Sequence, residues 1–593
     1  MTDFAVPTLL ETALGRLLHG FALFRQRAGA PGPVPAALFR WLEEAGLPLP
    51  AGLDRRRLEA ATATPRQPAN ALETLAAEAH RLALGLEEPP DGDGQSAART
   101  ALHSPFRAVD LGQGSAPQRA HVPAELIPDQ RLLPQPLVSA SACQQAYAGL
   151  WPDCAAALDR LFRQAADANA FGDGLLGLAE RFLWAAPALP ATDLSLHDHG
   201  RTAAAIAACL YAFHDAGGTL SDAAAVSHRQ QRKFRLVAGE VQEAGRTLTA
   251  DVLAETAAQG LRAALGLPAC NVLQQSGGKF LLLAPHLPAT AAAVERRQGE
   301  LDERLRQRYL GELALPLALS PPFAAADLLP PRFDAVLAGL DRALAEARLQ
   351  PLGVTATGVV AQDYSHGVCA ACHCRPARPE GRCARCADAP AQTAGDQPRP
   401  AVLQAGVDNL ELVFGYGLAD PARNTLARRA ALSRHLDLFF TAWLPALLRD
   451  HYPAVAIAQA GGGGLRLTGP WRPVLDLLPE LNEQFRRYTG NNPSLTLSAA
   501  VDRQQSRPDA RRRLEQARAA GGDRVCLPGG EPLPWSQLSQ VLSDAGTLDG
   551  WLRNHPSGTA LLHKLLYFAD QRRRAEAGEL ACAGWRGRWG GWL

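Results

Sequence analysis

The chain has 593 residues, enough for several domains, and its 47% hydrophobic and 20% charged residues are typical of a folded globular protein. A net charge of +1 excludes the overall basic character of a general nucleic-acid binder. No apolar run reaches membrane-spanning length, and the first residues lack the pattern of a signal peptide. Eleven cysteines, several of them isolated, favour a reducing compartment, so we expect a cytoplasmic protein without a membrane partner.

The N-terminal part of the sequence predicts helices. Apolar residues recur at helical spacing over residues 7–30, loops follow at 87–96 and 117–136, and helical patterns dominate residues 141–217. The first helix carries His19 followed by Gly20, whereas a metal-dependent phosphohydrolase of the HD type needs an adjacent His-Asp pair. A lone histidine on a helix is more often structural.

Two later regions share one layout. Residues 272–285 and 456–470 each read as a strand, a Gly-Gly tip and an apolar exit strand. Each hairpin lies downstream of another strand, with a helical stretch between. The repeat predicts two related α+β domains.

A cysteine-rich segment separates these domains. Two CxxC pairs ten residues apart are typical of a closed structural zinc site, and they are formed by Cys369, Cys372, Cys383 and Cys386. His373 and Cys374 are alternative ligands, but the paired spacing favours the four cysteines.

The second glycine tip, in "AIAQAGGGGLRLTGPW", lies where nucleotidyl-transfer domains hold carboxylates for two Mg²⁺ ions. This tip offers none, and the opposing strand end "AGVDN" offers only Asp408. One carboxylate is a poor site for two metal ions.

The order and combination of these motifs resemble the large subunit of type III CRISPR effector complexes, in particular the type III-A (Csm) form. The resemblance covers roughly residues 10–570. It is carried by "LLHGFALFRQRAG", "DLSLHDHGRTAAAIAACLY", "LPACNVLQQSGGKFLLLAP", the four cysteines, "VLQAGVDNLELVFGYGL", "LSRHLDLFF" and "GPWRPVLDLLPELNEQFRRYTGNNPSLTLSAAV".

The resemblance implies an α+β multidomain fold with two palm domains of the ferredoxin-like, nucleotide-cyclase type, a zinc-binding segment, and helical N-terminal and C-terminal domains. We expect six segments: a degenerate HD-like domain at 1–115, a linker and helical part at 116–230, the first palm at 231–350, the zinc-binding segment at 351–398, the second palm at 399–505, and the C-terminal helical domain at 506–593.

In the resembling family, a Gly-Gly-Asp-Asp hairpin of the second palm makes cyclic oligoadenylates. The resemblance places a degenerate form of this site at Gly406, Asp408, Gly461, Gly462, Gly463 and Gly464, with Gly463, Gly464 and Gly406 at the positions of the family's aspartates. It places a degenerate HD site at His19, Gly20 and His80. Possible nucleotide or phosphate contacts are Gly277, Gly278, Lys279 and Arg518, although Arg511 to Arg513 beside the last of these also fit a solvated helix face.

From these positions we expect no catalytic residues, no catalytic Mg²⁺ and the loss of both the cyclic-oligoadenylate synthase and the HD nuclease activities, so that the chain is not an enzyme. Whether ATP binds is left open. The leading hypothesis is a scaffold in an antiviral ribonucleoprotein complex that binds guide RNA and target RNA. Its expected partners are the small subunit, the subunit that binds the guide 5′ tag and the backbone subunits.

Two alternatives remain. One is an adaptor platform that recruits a separate effector protein. The other is a palm enzyme with altered metal-dependent nucleotide chemistry, using Glu240 and Asp408.

Overall fold

A computed structural model describes residues 8–87, 97–243, 248–309, 313–349, 363–373, 375–387, 400–418, 420–503, 507–555 and 558–576. Cys374 and the C-terminal tryptophans Trp585, Trp589 and Trp592 lie outside these residues. None of the helices in the described ranges combines the length and the apolar character that crossing a bilayer requires.

Four helices begin the chain: α1 (Leu9–Arg27), α2 (Val34–Glu44), α3 (Arg55–Thr62) and α4 (Ala71–Leu84). A capping box starts α1, since Thr8 Oγ1 accepts the Glu11 N–H at 3.2 Å and the Glu11 carboxylate accepts the Thr8 N–H at 3.1 Å. Phe21 and Phe24 of α1 are fully buried because other helices surround it.

The next segment is also mainly helical. Its elements are β1 (Leu102–His103), β2 (Ala120–His121), α5 (Ala140–Gln164), α6 (Ala168–Leu183), β3 (Pro187–Ala188), β4 (Ala191–Ser195), α7 (Leu196–Ala216) and α8 (Ala223–Val226). Ser195 caps α7 by accepting the Asp198 N–H at 3.0 Å. The alanine-rich α7 is buried along nearly its whole length.

The region predicted as the first palm, and called by that name below, contains β5 (Arg232–Glu240), β6 (Gln242–Glu243), α9 (Leu248–Ala264), β7 (Val272–Ser276), β8 (Lys279–Pro285), α10 (Pro288–Tyr309), β9 (Leu313–Ala314), β10 (Leu317–Leu319), β11 (Phe323–Ala324) and α11 (Phe333–Leu349). The sheet order is β10-β5-β8-β7, and β11 also pairs with β5.

The two faces of this sheet belong to different cores, because side chains alternate along a strand. Leu236 and Leu283 join the core that contains α1 and α7. Val237 and Leu282 face the other way and pack with α9 and α10.

The cysteine-rich segment holds the short helix α12 (Ala384–Ala387), and the second palm follows. That palm contains β12 (Ala401–Val407), α13 (Leu410–Gly415), α14 (Leu426–Leu438), α15 (Leu444–His451), β13 (Ala456–Gly461), β14 (Gly464–Gly469), α16 (Trp471–Tyr488), β15 (Leu497–Arg503), α17 (Arg507–Ala519), β16 (Arg524–Cys526) and β17 (Leu533–Pro534). Its sheet order is β13-β14-β12-β15-β16-β17, with β15 and β16 parallel and the other pairs antiparallel.

A buried ion pair joins the helical part to the second palm. Arg434 of α14 donates to both carboxylate oxygens of Asp198 on α7, at 2.8 and 2.9 Å, and both side chains are almost fully buried. This pair anchors α14 against α7.

The chain ends with α18 (Trp535–Asn554) and α19 (Gly558–Glu576). The predicted mixed α+β, multidomain class is confirmed. One feature differs from the helical expectation for the last segment: β16 and β17 extend the second sheet to Pro534. Each strand has only two or three residues, and "CLPGGEPLP" shows no alternation that would reveal them.

Candidate functional site between two glycine-tipped hairpins

Both predicted glycine hairpins are present. Gly277 and Gly278 connect β7 to β8, and Gly462 and Gly463 connect β13 to β14. All four glycines have positive φ, between 62° and 75°. Positive φ at both central residues is the geometry of a type I′ turn, which favours glycine.

The two tips touch each other. A Cβ atom added to Gly277 would lie 2.6 Å from the Gly462 Cα, and one added to Gly462 would lie 2.4 Å from the Gly277 Cα. Any side chain at either position would therefore collide with backbone. The contact makes one cleft from elements of both palms.

A carboxylate that the sequence analysis did not single out ties the tips together. Ser276 Oγ donates to Asp437 Oδ1, and the Gly462 N–H donates to Ser276 Oγ at 2.5 Å and to Asp437 Oδ1 at 3.1 Å. Burial raises the pKa of Asp437, although these hydrogen bonds oppose the shift. The sequence signal that could have identified Asp437 is its position within "LSRHLDLFF", one of the segments that carry the family resemblance.

The strand that faces the second tip brings Gly406 next to Gly464, which is its partner in the β12–β14 ladder. An arginine occupies the space above Gly406: a Cβ there would lie 2.5 Å from Arg518 Nη2. Arg518 Nη2 donates to the Val407 carbonyl at 3.1 Å, and Arg518 Nε lies 3.7 Å from Asp408 Oδ1. Three sequence-predicted residues, Gly406, Asp408 and Arg518, thus lie together.

Asp408 is buried and has structural partners. Its Oδ2 accepts the Thr496 hydroxyl at 2.9 Å and the Asp523 N–H at 2.8 Å. These bonds hold the loop that follows α17, the helix that carries Arg518. Within the described part of the chain, Oδ1 has no hydrogen-bond partner, and it faces the Arg518 guanidinium.

On the first palm, Glu240 forms ion pairs with Lys279, at 2.9 Å, and with Arg348. Among the described residues, Glu240 and Asp408 do not belong to any group of three ligand-bearing side chains close enough to hold a metal ion. The Gly278 N–H donates to Asp251 Oδ1 at 2.6 Å, which fixes the first tip from the side of α9. The Lys279 side chain remains half exposed beside this tip.

In the helical part, the predicted positions His19 and His80 lie close together, and His199 of α7 joins them. The ring centroids are 5.5 Å apart for His19 and His80, and 4.7 Å apart for His80 and His199. His19 Nδ1 donates to the Thr62 carbonyl at 2.9 Å. Burial lowers the pKa of all three histidines, to about 4 for His199, so the rings are neutral at pH 7.

His199 was missed because it lies more than a hundred residues from both partners in sequence, although the matched segment "DLSLHDHGRTAAAIAACLY" contains it. Gly20 faces α7 and Leu183 rather than the rings, since a Cβ there would lie 3.0 Å from Leu183 Cδ1.

The four predicted cysteines converge. Their sulfur atoms all lie within 4.8 Å of one another, and Cys372 Sγ is 3.9 Å from Cys383 Sγ. A tetrahedral site with Zn–S bonds of about 2.3 Å separates its sulfurs by about 3.8 Å. The set therefore fits a structural zinc ion, as the spacing predicts.

Family comparisons match two regions of the chain. Residues 399–523 match the second palm domain of Cas10/Cmr2, and residues 243–361 match domain B of the Csm1 subunit.

Curated relatives match over shorter stretches. They include proteins from Methanocaldococcus jannaschii, 31% identical over 111 residues, and Enterococcus italicus, 34% identical over 104 residues. These stretches are 17% and 18% of this chain, and the chain covers only 14% and 13% of those relatives. Both are described as single-strand-specific deoxyribonucleases Cas10/Csm1 of subtype III-A.

Solved structures share the fold over nearly the whole chain. A Csm1–Csm4 cassette in complex with cA3 superposes with a TM-score of 0.70 at 18% identity, covering 95% of this chain and 92% of that one. The same cassette in complex with AMPPNP gives a TM-score of 0.68 at 18% identity, covering 95% and 92%.

One prediction needs correction. The expectation that this chain is not an enzyme is wrong, because four curated relatives are each named as single-strand-specific deoxyribonucleases. The expectation rested on the missing carboxylates at the family's motif positions. Missing carboxylates at these positions do not show that other side chains lack catalytic activity. Two separate regions of the chain, residues 399–523 and 243–361, thus match domains of the Cas10/Cmr2 and Csm1 families.

Proposed function

We propose that the chain is the large subunit of a type III-A CRISPR effector complex. In this role it scaffolds guide RNA and neighbouring subunits, senses target RNA and binds a nucleotide between its palms. The observation that carries the proposal is the contact between the two glycine tips, which makes one cleft from two palms. Structural neighbours described as Csm1–Csm4 cassettes with AMPPNP or one ATP support both the partner class and the ligand class.

Within this cleft we propose that arginine meets the charge of the nucleotide phosphates. Gly406, Gly463 and Gly464 supply no carboxylate, and the Arg518 guanidinium lies over the first of them. Guanidinium groups bind phosphate through paired, charge-assisted hydrogen bonds. Asp408 acts as a positioning residue through the loop that follows α17, and Lys279 offers a second, half-exposed cation on the first palm.

The test is nucleotide binding to the purified full chain, measured by calorimetry with AMPPNP. We expect Arg518→Ala to weaken binding by about tenfold, the effect of one charge-assisted contact. The matched control is Arg511→Ala on the same helix. The Arg511 side chain is 57% exposed and forms a long ion pair with Glu515, at 4.0 Å. Equal affinity of the two variants would refute the role of Arg518.

The scaffold role is tested separately by sequencing the RNA that co-purifies with the complex assembled on this chain. Guide RNAs that carry a repeat-derived 5′ tag support the proposed subunit. RNA without repeat sequence, or an extra stoichiometric protein and no RNA, would favour the adaptor alternative. We also propose that the chain is organised in segments whose boundaries lie at residues 115, 230, 350, 398 and 505.

A second candidate function is cleavage of single-stranded DNA, the activity in the names of the curated relatives. The observation that favours it is the contact between the His19, His80 and His199 rings, because neutral imidazole is the form that binds metal ions. Their ligand atoms lie farther apart than in the cysteine cluster, so metal binding would require the rings to rotate.

Cleavage of labelled single-stranded DNA with added Mn²⁺ tests this candidate. We expect His199→Ala to abolish cleavage and the exposed His228→Ala to leave it unchanged. No cleavage by the unmodified chain, or full cleavage by His199→Ala, would reject the three histidines as the site.

A further inference from the structure

A cavity of 230 Å³ lies away from the palm cleft, where three segments of the chain meet. One wall is the stretch after β1, with Ser104 and Arg107. The second is the start of β4 with the preceding Pro190, and the third is the approach to α14 and its first turn, with Arg423 and Arg428. We call this the arginine cavity. None of these residues belongs to the sites described above.

The charges around the arginine cavity are only partly neutralised. Arg428 is fully paired, because it donates to both oxygens of Asp193 at 3.0 Å. Arg423 has a looser partner, the half-exposed Asp420 at 3.3 Å. Among the described residues, Arg107 has no carboxylate within ion-pair distance. Three arginines against two aspartates leave a net charge of +1 at the cavity.

A neutral donor lies in the same wall. The Ser104 side chain is 2% exposed, and its Oγ has no hydrogen-bond partner within the described part of the chain. Buried hydroxyl groups are normally hydrogen-bonded. A buried, unpartnered hydroxyl beside arginines indicates a site built for an acceptor that enters the cavity.

The electrostatic effect on a neighbouring residue supports this arrangement. His103 also lines the cavity, and its Nδ1 lies 3.1 Å from Thr192 Oγ1. Burial lowers the pKa of His103 and the charge of Arg107 lowers it further, whereas Asp193 opposes the shift and Arg423 adds to it. The charge of Arg107 is therefore felt inside the cavity.

The size and lining of the cavity narrow the ligand class. Pockets for drug-sized molecules measure about 300–1,000 Å³, so this one is smaller. His103 is the only aromatic ring among its lining residues, so the walls offer little for stacking a base. Recognition would depend on charge and hydrogen bonding rather than on base identity.

We propose that the arginine cavity binds a phosphate group of a nucleotide or of a nucleic-acid strand, with Arg107 and Arg423 as the cationic ligands and Ser104 as a hydroxyl donor. Arg428 is a positioning residue, since Asp193 holds it in the wall. The phosphate comes either from a terminal phosphomonoester or from a backbone phosphodiester, and the probes below separate these sources.

The experiment uses the full chain carrying Arg518→Ala, so that binding in the palm cleft is weakened. The probes are inorganic phosphate and AMP, measured by calorimetry, and a short labelled single-stranded RNA with a 5′-phosphate or a 5′-hydroxyl, measured by fluorescence anisotropy. The cavity variants are Ser104→Ala and the double variant Arg107→Ala/Arg423→Ala. The matched control removes two exposed arginines elsewhere, Arg449→Ala/Arg472→Ala.

We expect the double cavity variant to weaken binding by about tenfold or more, Ser104→Ala to weaken it severalfold, and the control to change it little. A requirement for the 5′-phosphate identifies a phosphomonoester, and equal binding of the 5′-hydroxyl RNA identifies the backbone. The proposal is overturned if no probe binds, or if the cavity variants and the control behave alike. Thermal unfolding of each variant verifies that it is folded.

Discussion

The contact between the glycine tips makes a quantitative prediction for Gly462→Ala. Its Cβ would lie 2.4 Å from the Gly277 Cα, whereas carbon atoms in contact are about 3.5–4.0 Å apart. The tips must therefore separate by about 1 Å or more. This movement pulls the partly buried Gly462 N–H away from Ser276 and Asp437, and leaving such a donor unpaired costs about 1–3 kcal/mol.

Alanine at a φ of +62° adds about 1–2 kcal/mol of backbone strain. The total expected loss is about 2–5 kcal/mol. Gly266→Ala is the matched control, because Gly266 has a φ of +65° and no atom within 4 Å of an added Cβ. It experiences the backbone strain alone, so the difference between the variants, about 1–3 kcal/mol, measures the contact.

Urea unfolding followed by tryptophan fluorescence provides the assay, with the slope of each transition compared before its midpoint is interpreted. The Gly462→Ala transition should have a lower midpoint than the Gly266→Ala transition. If the two midpoints coincide, the palms do not meet through these tips, and the composite cleft loses its support.

Three further predictions concern ionisable and metal-binding side chains. Because the pKa of Asp437 is raised in the folded state, the folded chain binds more protons than the unfolded chain. The unfolding free energy therefore falls as the pH rises from the ordinary carboxyl pKa of 3.8 through the raised pKa. Urea midpoints measured across this pH range should fall less for Asp437→Asn than for the unmodified chain. Arg434→Leu leaves the Asp198 carboxylate buried without its partner and should lower the unfolding free energy, measured in urea, by about 3–5 kcal/mol. The double variant Arg434→Leu/Asp198→Leu removes the unpaired charge and should recover much of this loss. Cys372→Ser should remove zinc measured by atomic emission, and Cys143→Ser, at a buried isolated cysteine, should not.

The sequence predicts features that depend on local spacing. The paired CxxC motifs identify the cysteine cluster, and alternating apolar residues around Gly-Gly identify both hairpins. The contacts of Asp437 with Ser276 and of His199 with His80 join residues far apart in the chain, and neither has a spacing that could reveal it. The occupation of the space over Gly406 by Arg518 likewise depends on how α17 packs against β12.

The first palm shares one of its two apolar faces with the N-terminal helices, since Leu236 and Leu283 lie in the same core as α1 and α7. The helical part is therefore not a removable module. A chain shortened to begin at the first palm would expose this face to water, and such surfaces promote aggregation. The shared core also couples any rearrangement around His19 and His199 mechanically to the sheet that carries the first glycine tip, so the two regions should loosen as one cooperative unit.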